Sequence, residues 1–116
     1  MKAAKIKKYK FKGKVWKHKG PAGWHFVTLP KMLAKKIRIN HGLDEEGWGR
    51  LKTKAAIGKS KWQTAIWFDS KFQSYLLPVK SEIRSREQID SGDKVSVKLS
   101  LEENKVTLIK KRPTMF

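Results

Sequence analysis

Lys8, Lys10, Lys12 and Lys14 occupy every second position of one short stretch, with Tyr9, Phe11 and Gly13 between them and Val15 after. On an extended strand, residues two apart stand about 6.6 to 6.8 Å apart on one face. Successive phosphates of an extended nucleic-acid strand are separated by at most roughly twice the 3.4 Å rise per strand. The four ammonium groups therefore match a phosphate backbone in spacing as well as in charge. Lysine is a point charge without a planar fork, so this grip favours phosphate over base identity and predicts binding without strong sequence preference. Trp16 follows on the same face, and an indole beside lysines is a platform on which an unpaired base can stack. Trp67 lies likewise on the face opposite its strand's apolar set, Lys52 and Lys54 alternate along another strand, and Lys17 and Lys19 extend the first basic run. Together these residues are the candidate nucleic-acid-binding set. The competing reading is a solvated strand face whose lysines discourage edge-to-edge aggregation.

Charge bears on that choice. The chain carries 28 basic and 10 acidic side chains, a net +18, and its first 43 residues hold 13 of the lysines and arginines and no acid. A strand's need for polar residues accounts for the lysines but not for the missing acids. Such a field attracts polyanions, nucleic acid ahead of an anionic membrane surface. Against this, 23 of the 28 basic residues are lysine, the type that compositional drift supplies most readily, in which case the charge is background.

Other chemistries find little footing. Gly58-Lys59-Ser60 resembles the end of a phosphate-binding loop, but that motif needs a glycine where Thr53 stands and a strand running into a helix. His41 and Asp44, beside Glu45 and Glu46, suggest a metal site less than they suggest an acidic loop, since no second histidine is near. His18 and His25 flank the Gly20–Gly23 turn with no serine or carboxylate partner identifiable. The expectation is a protein that is not an enzyme, with no catalytic residues, metal or cofactor. Trp24, Trp48 and Trp62 read as core or rim packing.

The length of 116 residues fits a single domain, and 39% hydrophobic residues with 12 aromatics give it a globular composition. Without cysteine there is no disulfide or thiolate chemistry, which suits a reducing compartment. No apolar run reaches the length of a signal peptide core or of a membrane span of about 20 residues, so a cytoplasmic location without membrane contact is expected.

Period-two alternation dominates the chain and predicts strands with one buried face. The first, residues 6–17, buries Tyr9, Phe11, Gly13 and Val15, and the basic strand region extends to residue 19. Residues 24–29 form a second strand. Pro30 opens a short helix whose apolar side includes Met32, Leu33 and Ile37. Residues 50–57 and 61–69 pair as a hairpin around Gly58, residues 73–77 form another strand, and Pro78 leads to a helix capped by Ser81 with Glu82 and Arg86 four apart. Val95, Val97, Leu99 and Leu101 point inward on the next strand, and one more short strand precedes a polar tail at 111–116. The predicted core is Leu29, Leu33, Ile37, Leu51, Ile57, Ile66, Val95, Val97 and Leu99. Strand, Leu-Pro, short helix and glycine turn occur twice, from Pro30 to Gly42 and from Pro78 to Gly92, which suggests a duplicated unit.

The blocks "GPAGWHFVTLP", "GWGRLKTKAAIG", "KWQTAIWFD", "YLLPVKSEIR" and "GDKVSVKL" resemble, in order and spacing, a small prokaryotic family of domains of unknown function. Some of its relatives are fused to an OmpD-associated bacteriocin-protection domain. The resemblance spans about Tyr9 to Leu101 and implies a mainly β, single-chain double-split β-barrel over residues 6–110, with two short α-helices and internal pseudo-twofold symmetry. It brings no activity or catalytic residues. The lysine-rich first strand and the large positive charge depart from what the resemblance leads one to expect. The reading reached is a monomeric, cytoplasmic binding module that takes DNA or RNA by its phosphates; the alternative is a protein-interaction or small-ligand-binding barrel.

Overall fold

The computed structural model describes residues 5–103, the side chains of Trp48 and Glu103 excepted. Six antiparallel strands close into a barrel: β1 (Lys5–Lys17), β2 (His25–Thr28), β3 (Arg50–Ile57), β4 (Ser60–Asp69), β5 (Ser74–Pro78) and β6 (Lys94–Glu103). Two helices join them, α1 (Lys31–His41) after β2 and α2 (Ser81–Glu87) after β5. Around the barrel the strands run β1-β2-β5-β4-β3-β6 and back to β1. Exchanging β1, β2, α1 and β3 for β4, β5, α2 and β6 leaves every neighbour pair in that order unchanged.

β1 belongs to two neighbours. Its residues from Lys5 to Lys14 pair with β6, and Val15 to Lys17 pair with β2. The change of partner falls next to Gly13, where a Cβ would stand 2.6 Å from Val27 Cγ1. Glycine is what lets β1 and β2 approach there. The turn before β6 is tied to the same point, with Val15 N–H donating to Asp93 O at 2.8 Å and Gly92 N–H to Val15 O at 2.7 Å.

The inward face follows the alternation read from the sequence. Tyr9, Phe11 and Val15 are buried with Val27, Leu51, Ile57, Ile66, Leu77, Val97 and Leu99 in one cluster, and Leu33 and Val95 pack against it partly buried. Every member of the predicted core lies in or against this cluster. α1 differs in its stripe: Ala34, Ile37 and His41 are buried at spacings of three and four, whereas Met32 is 79% exposed. Met32 therefore does not belong to the helix's apolar side. Pro30 does open the helix, its carbonyl accepting from Ala34 N–H at 2.9 Å. Ser81 does not cap α2. Lys80 holds that position without a side-chain bond, and its carbonyl takes the Ile83 and Arg84 N–H groups, so Ser81 is already the first helical residue. Glu82 and Arg86 pair at 3.0 Å as expected. Gly58, at φ +59°, and Lys59 turn the β3–β4 hairpin, and Ser60 already begins β4, so a strand and not a helix follows the glycine-lysine-serine segment. The short strand and polar tail expected beyond Glu103 lie outside the described residues.

Candidate nucleic-acid interface

The barrel turns Lys8, Lys10, Lys12 and Lys14 outward together; Lys10, Lys12 and Lys14 are exposed between buried or half-buried neighbours, and Lys8 is exposed between exposed Lys7 and buried Tyr9. Pairing with β6 adds residues that the sequence alone did not group with them. Lys10 stands directly opposite Lys98, and Lys14 opposite Lys94, while Lys8 and Lys12 face Ser100 and Ser96. On the other side of β6, Ser100 faces Lys54 and Lys98 faces Ala56, whose partner on β4 is Lys61. The outer surface of β1, β6, β3 and β4 is thus a lattice of ammonium groups on the two strand spacings, about 4.8 Å across and 6.6 to 6.8 Å along. Glu102, opposite Ile6, is the acid at its edge.

Like charges directly opposite each other destabilise a sheet. Among the described residues, the ion pairs of this chain engage Arg38, Arg50, Lys52, Lys80 and Arg86, and none involves the four comb lysines, Lys54, Lys94 or Lys98. None of these ion pairs offsets the repulsion between the facing lysines.

Three sequence candidates stand apart from this lattice. Lys52 is outward on β3 but approaches Glu46 at 3.6 Å, which Arg50 also holds. Lys17 has the phase of Val15, not of the comb, and is exposed at the end of β1; Lys19 lies beyond that end, in the turn, because the strand stops two residues short of the expected boundary. Both add charge near the face without joining it.

Trp16 and Trp67, far apart in sequence, line one cleft. Trp16 is opposite Phe26 on β2, and Trp67 is opposite Leu76 on β5, itself opposite Thr28 on β2. Trp16 is half-buried; its indole N–H donates to Thr28 Oγ1 at 2.9 Å, and its ring lies 5.2 Å from Phe26 and 5.7 Å from Phe72. Among the described residues no second sheet or helix covers it. Of the core or rim packing expected for Trp24, the core is excluded: it is 54% exposed, stacked on Phe26 with planes 9° apart and centroids 5.9 Å apart. It lies outside because β2 begins only at His25, and Phe26 gives the indole a partner on the outer surface. Trp62 is partly buried against the core, as expected. The cleft also takes in His18 and Phe72 and encloses about 490 Å³. Phe72 is set by Asp69, whose Oδ1 accepts the N–H groups of Lys71 and Phe72 at 2.8 and 3.4 Å. A signal for this cleft existed in the sequence: "HFVTL" and "SYLLP" are apolar on both strand phases, which a sheet with one wet face does not require.

The groups suspected of metal or acid–base chemistry are engaged elsewhere. His41 is buried with Nε2 2.9 Å from the Tyr9 hydroxyl, which also accepts from Asn40 at 3.2 Å. Glu45 accepts from the Tyr75 hydroxyl and pairs with Arg38 at 3.4 Å, while Arg38 covers the Phe68 ring at 3.8 Å. Burial first, and then the bond and charge of Glu45, push the Tyr75 hydroxyl well above its ordinary range. His25 Nδ1–H donates to Gly23 O at 2.7 Å, and His18 touches Trp16 and Phe26 edge-on. Among the described residues no group of three histidines or acids is placed to hold a metal ion, and no helix is long and apolar enough to cross a membrane.

The model of the family described as "Domain of unknown function (DUF1905)" matches residues 11–99, most of the chain and nearly all of the barrel. The chain belongs to this family. The DUF1905 match begins at Phe11 and ends at Leu99, so it takes in Lys12 and Lys14, the aromatic cleft and both helices, while Lys8 and Lys10 precede it. No curated protein matches the chain.

Proposed function

We propose that this DUF1905 domain is a non-enzymatic binding module whose basic barrel face takes DNA or RNA by its phosphates, without strong sequence preference. The observation that carries the reading is the facing of Lys10 with Lys98 and of Lys14 with Lys94 on a surface lined by further lysines. Folding gains nothing from such pairs, whereas a polyanion laid across them converts the repulsion into attraction and releases its counterions. The facing pairs of the lattice are lysines, with Arg50 at its margin on β3, and lysine suits phosphate and leaves base identity unread. One chain completes the barrel, which supports a monomer; on this reading it acts in the cytoplasm, away from membranes. The internal exchange symmetry of the strand order supports an origin by duplication of a strand-helix-strand unit and a double-split barrel.

Filter binding of a labelled oligonucleotide over a series of salt concentrations tests the reading. Each phosphate contact contributes roughly −0.7 to −0.9 to the slope of log affinity against log salt, so four comb lysines give about −3 to −4. Absence of binding at about 50 mM salt, or binding indifferent to salt, refutes it and leaves a barrel for a protein or small-ligand partner.

A further inference from the structure

We infer that the aromatic cleft beside the lysine face holds unpaired bases, so that the nucleic acid bound is single-stranded; this rests on the phosphate-binding reading of that face. Three large aromatic side chains are left open to solvent here, Trp24 at 54%, Trp67 at 38% and Phe72 at 41%. They come from the residue before β2 and from β4 with the turn that follows it, and meet around Trp16 and Phe26. Contiguous exposed apolar surface of this kind marks a binding site, and about 490 Å³ lies within the range of pockets that take small organic groups.

Continuity with the charge selects the occupant. Trp16 follows Lys14 on the same face of β1, about 6.6 to 6.8 Å further along. On the other rims, Lys71 belongs to the cleft lining and the Arg50 guanidinium lies 5.6 Å from the Trp67 ring centroid. Asp69, the acid in the lining, is turned into its own loop by the Lys71 and Phe72 N–H groups. A flat, apolar group attached to an anionic backbone satisfies both halves of this surface at once. The Trp24 ring is also prepared for such a group: one face lies parallel on Phe26 and more than half of the residue remains open. Bases in a duplex are already stacked on one another and cannot enter. Trp16, held by Thr28, positions the cleft, and Trp24 and Trp67 supply the stacking surface.

The test uses the full chain with a labelled single-stranded 12-mer and the duplex of the same sequence, read by fluorescence anisotropy over a salt series. It compares wild type, Trp24→Ala, Trp67→Ala, their combination, and the quadruple glutamine variant of Lys8, Lys10, Lys12 and Lys14. Circular dichroism melts confirm that each variant is folded. The single strand should bind more tightly than the duplex. Each tryptophan removed should weaken single-strand binding by about 5- to 150-fold, the worth of one stacked base. The salt slope and the duplex affinity should stay unchanged. Equal affinity for both forms, steep in salt and indifferent to Trp24 and Trp67, overturns the cleft inference and keeps the phosphate face. Salt-indifferent single-strand binding that needs the tryptophans but not the lysines supports the cleft and overturns the face. Binding of neither form overturns both. A wild-type dimer that Trp24→Ala turns into a monomer in sedimentation makes the cleft a self-interface and also overturns the inference.

Discussion

Replacing Lys8, Lys10, Lys12 and Lys14 together by glutamine should make the protein more stable, because the comb meets like charge across β6. Lys10 faces Lys98 and Lys14 faces Lys94 in direct register, and cross-strand pairs of this kind are worth about 0.2 to 1 kcal/mol each. Two pairs relieved, with screening by solvent and salt taken into account, amount to roughly 1 kcal/mol at low ionic strength. For a domain of this size that is a rise of about 3 to 6 °C in Tm. Glutamine keeps a polar side chain of similar reach on an exposed strand face, so little packing is lost. Thermal melts followed by far-ultraviolet circular dichroism, at about 10 mM and about 1 M salt, provide the assay. The advantage of the variant should be largest at low salt and should fade at about 1 M, where the screening length falls to about 3 Å. A variant that is less stable than wild type at low salt, or equal to it at both, would refute the reasoning. The lysine stems would then be covering apolar surface, and the repulsion that motivates the binding proposal would be negligible.

Gly13→Ala should destabilise the barrel by about 1 to 3 kcal/mol, because its Cβ would meet the fully buried Val27 at 2.6 Å. Chemical denaturation of Gly13→Ala, Val27→Ala and the double variant should give a combined loss smaller than the sum of the two. The raised titration of Tyr75 makes the native state hold a proton that the unfolded chain releases near pH 10, so its contribution is complete below about pH 10 and is lost as pH rises above it. The stability of wild type should therefore fall more steeply above about pH 10 than that of Tyr75→Phe, measured by urea denaturation across the range.

The elements of this barrel were legible because its long strands β1, β3 and β6 alternate. Tyr9, Phe11 and Val15 against four lysines leave one choice of inward face, and Pro30 and Pro78 mark where strands must stop. What the chain alone did not give was register. That Lys98 lies opposite Lys10, and Lys94 opposite Lys14, depends on which strand closes the barrel against β1, a non-local pairing that no local spacing encodes. The cleft was half visible for the same reason. Trp16 and Trp67 could each be assigned an outward face, but their meeting requires β2 and β5 to lie between β1 and β4. Trp24 was left between core and rim because it stands next to a strand, and the choice depends on Phe26, which offers its ring a partner on the outer surface. Ser81 looked like a cap because serine so often is one, yet the extended backbone ends one residue earlier, at Lys80.

The salt dependence of oligonucleotide binding, compared between wild type and the Lys8, Lys10, Lys12 and Lys14 to glutamine variant, tests phosphate recognition most directly. The slope of log affinity against log salt should shrink by about 3 to 4 in the variant, and the weakening should be alike on every sequence tried. An unchanged slope would contradict phosphate binding by the comb and reduce those four lysines to the wet side of a strand.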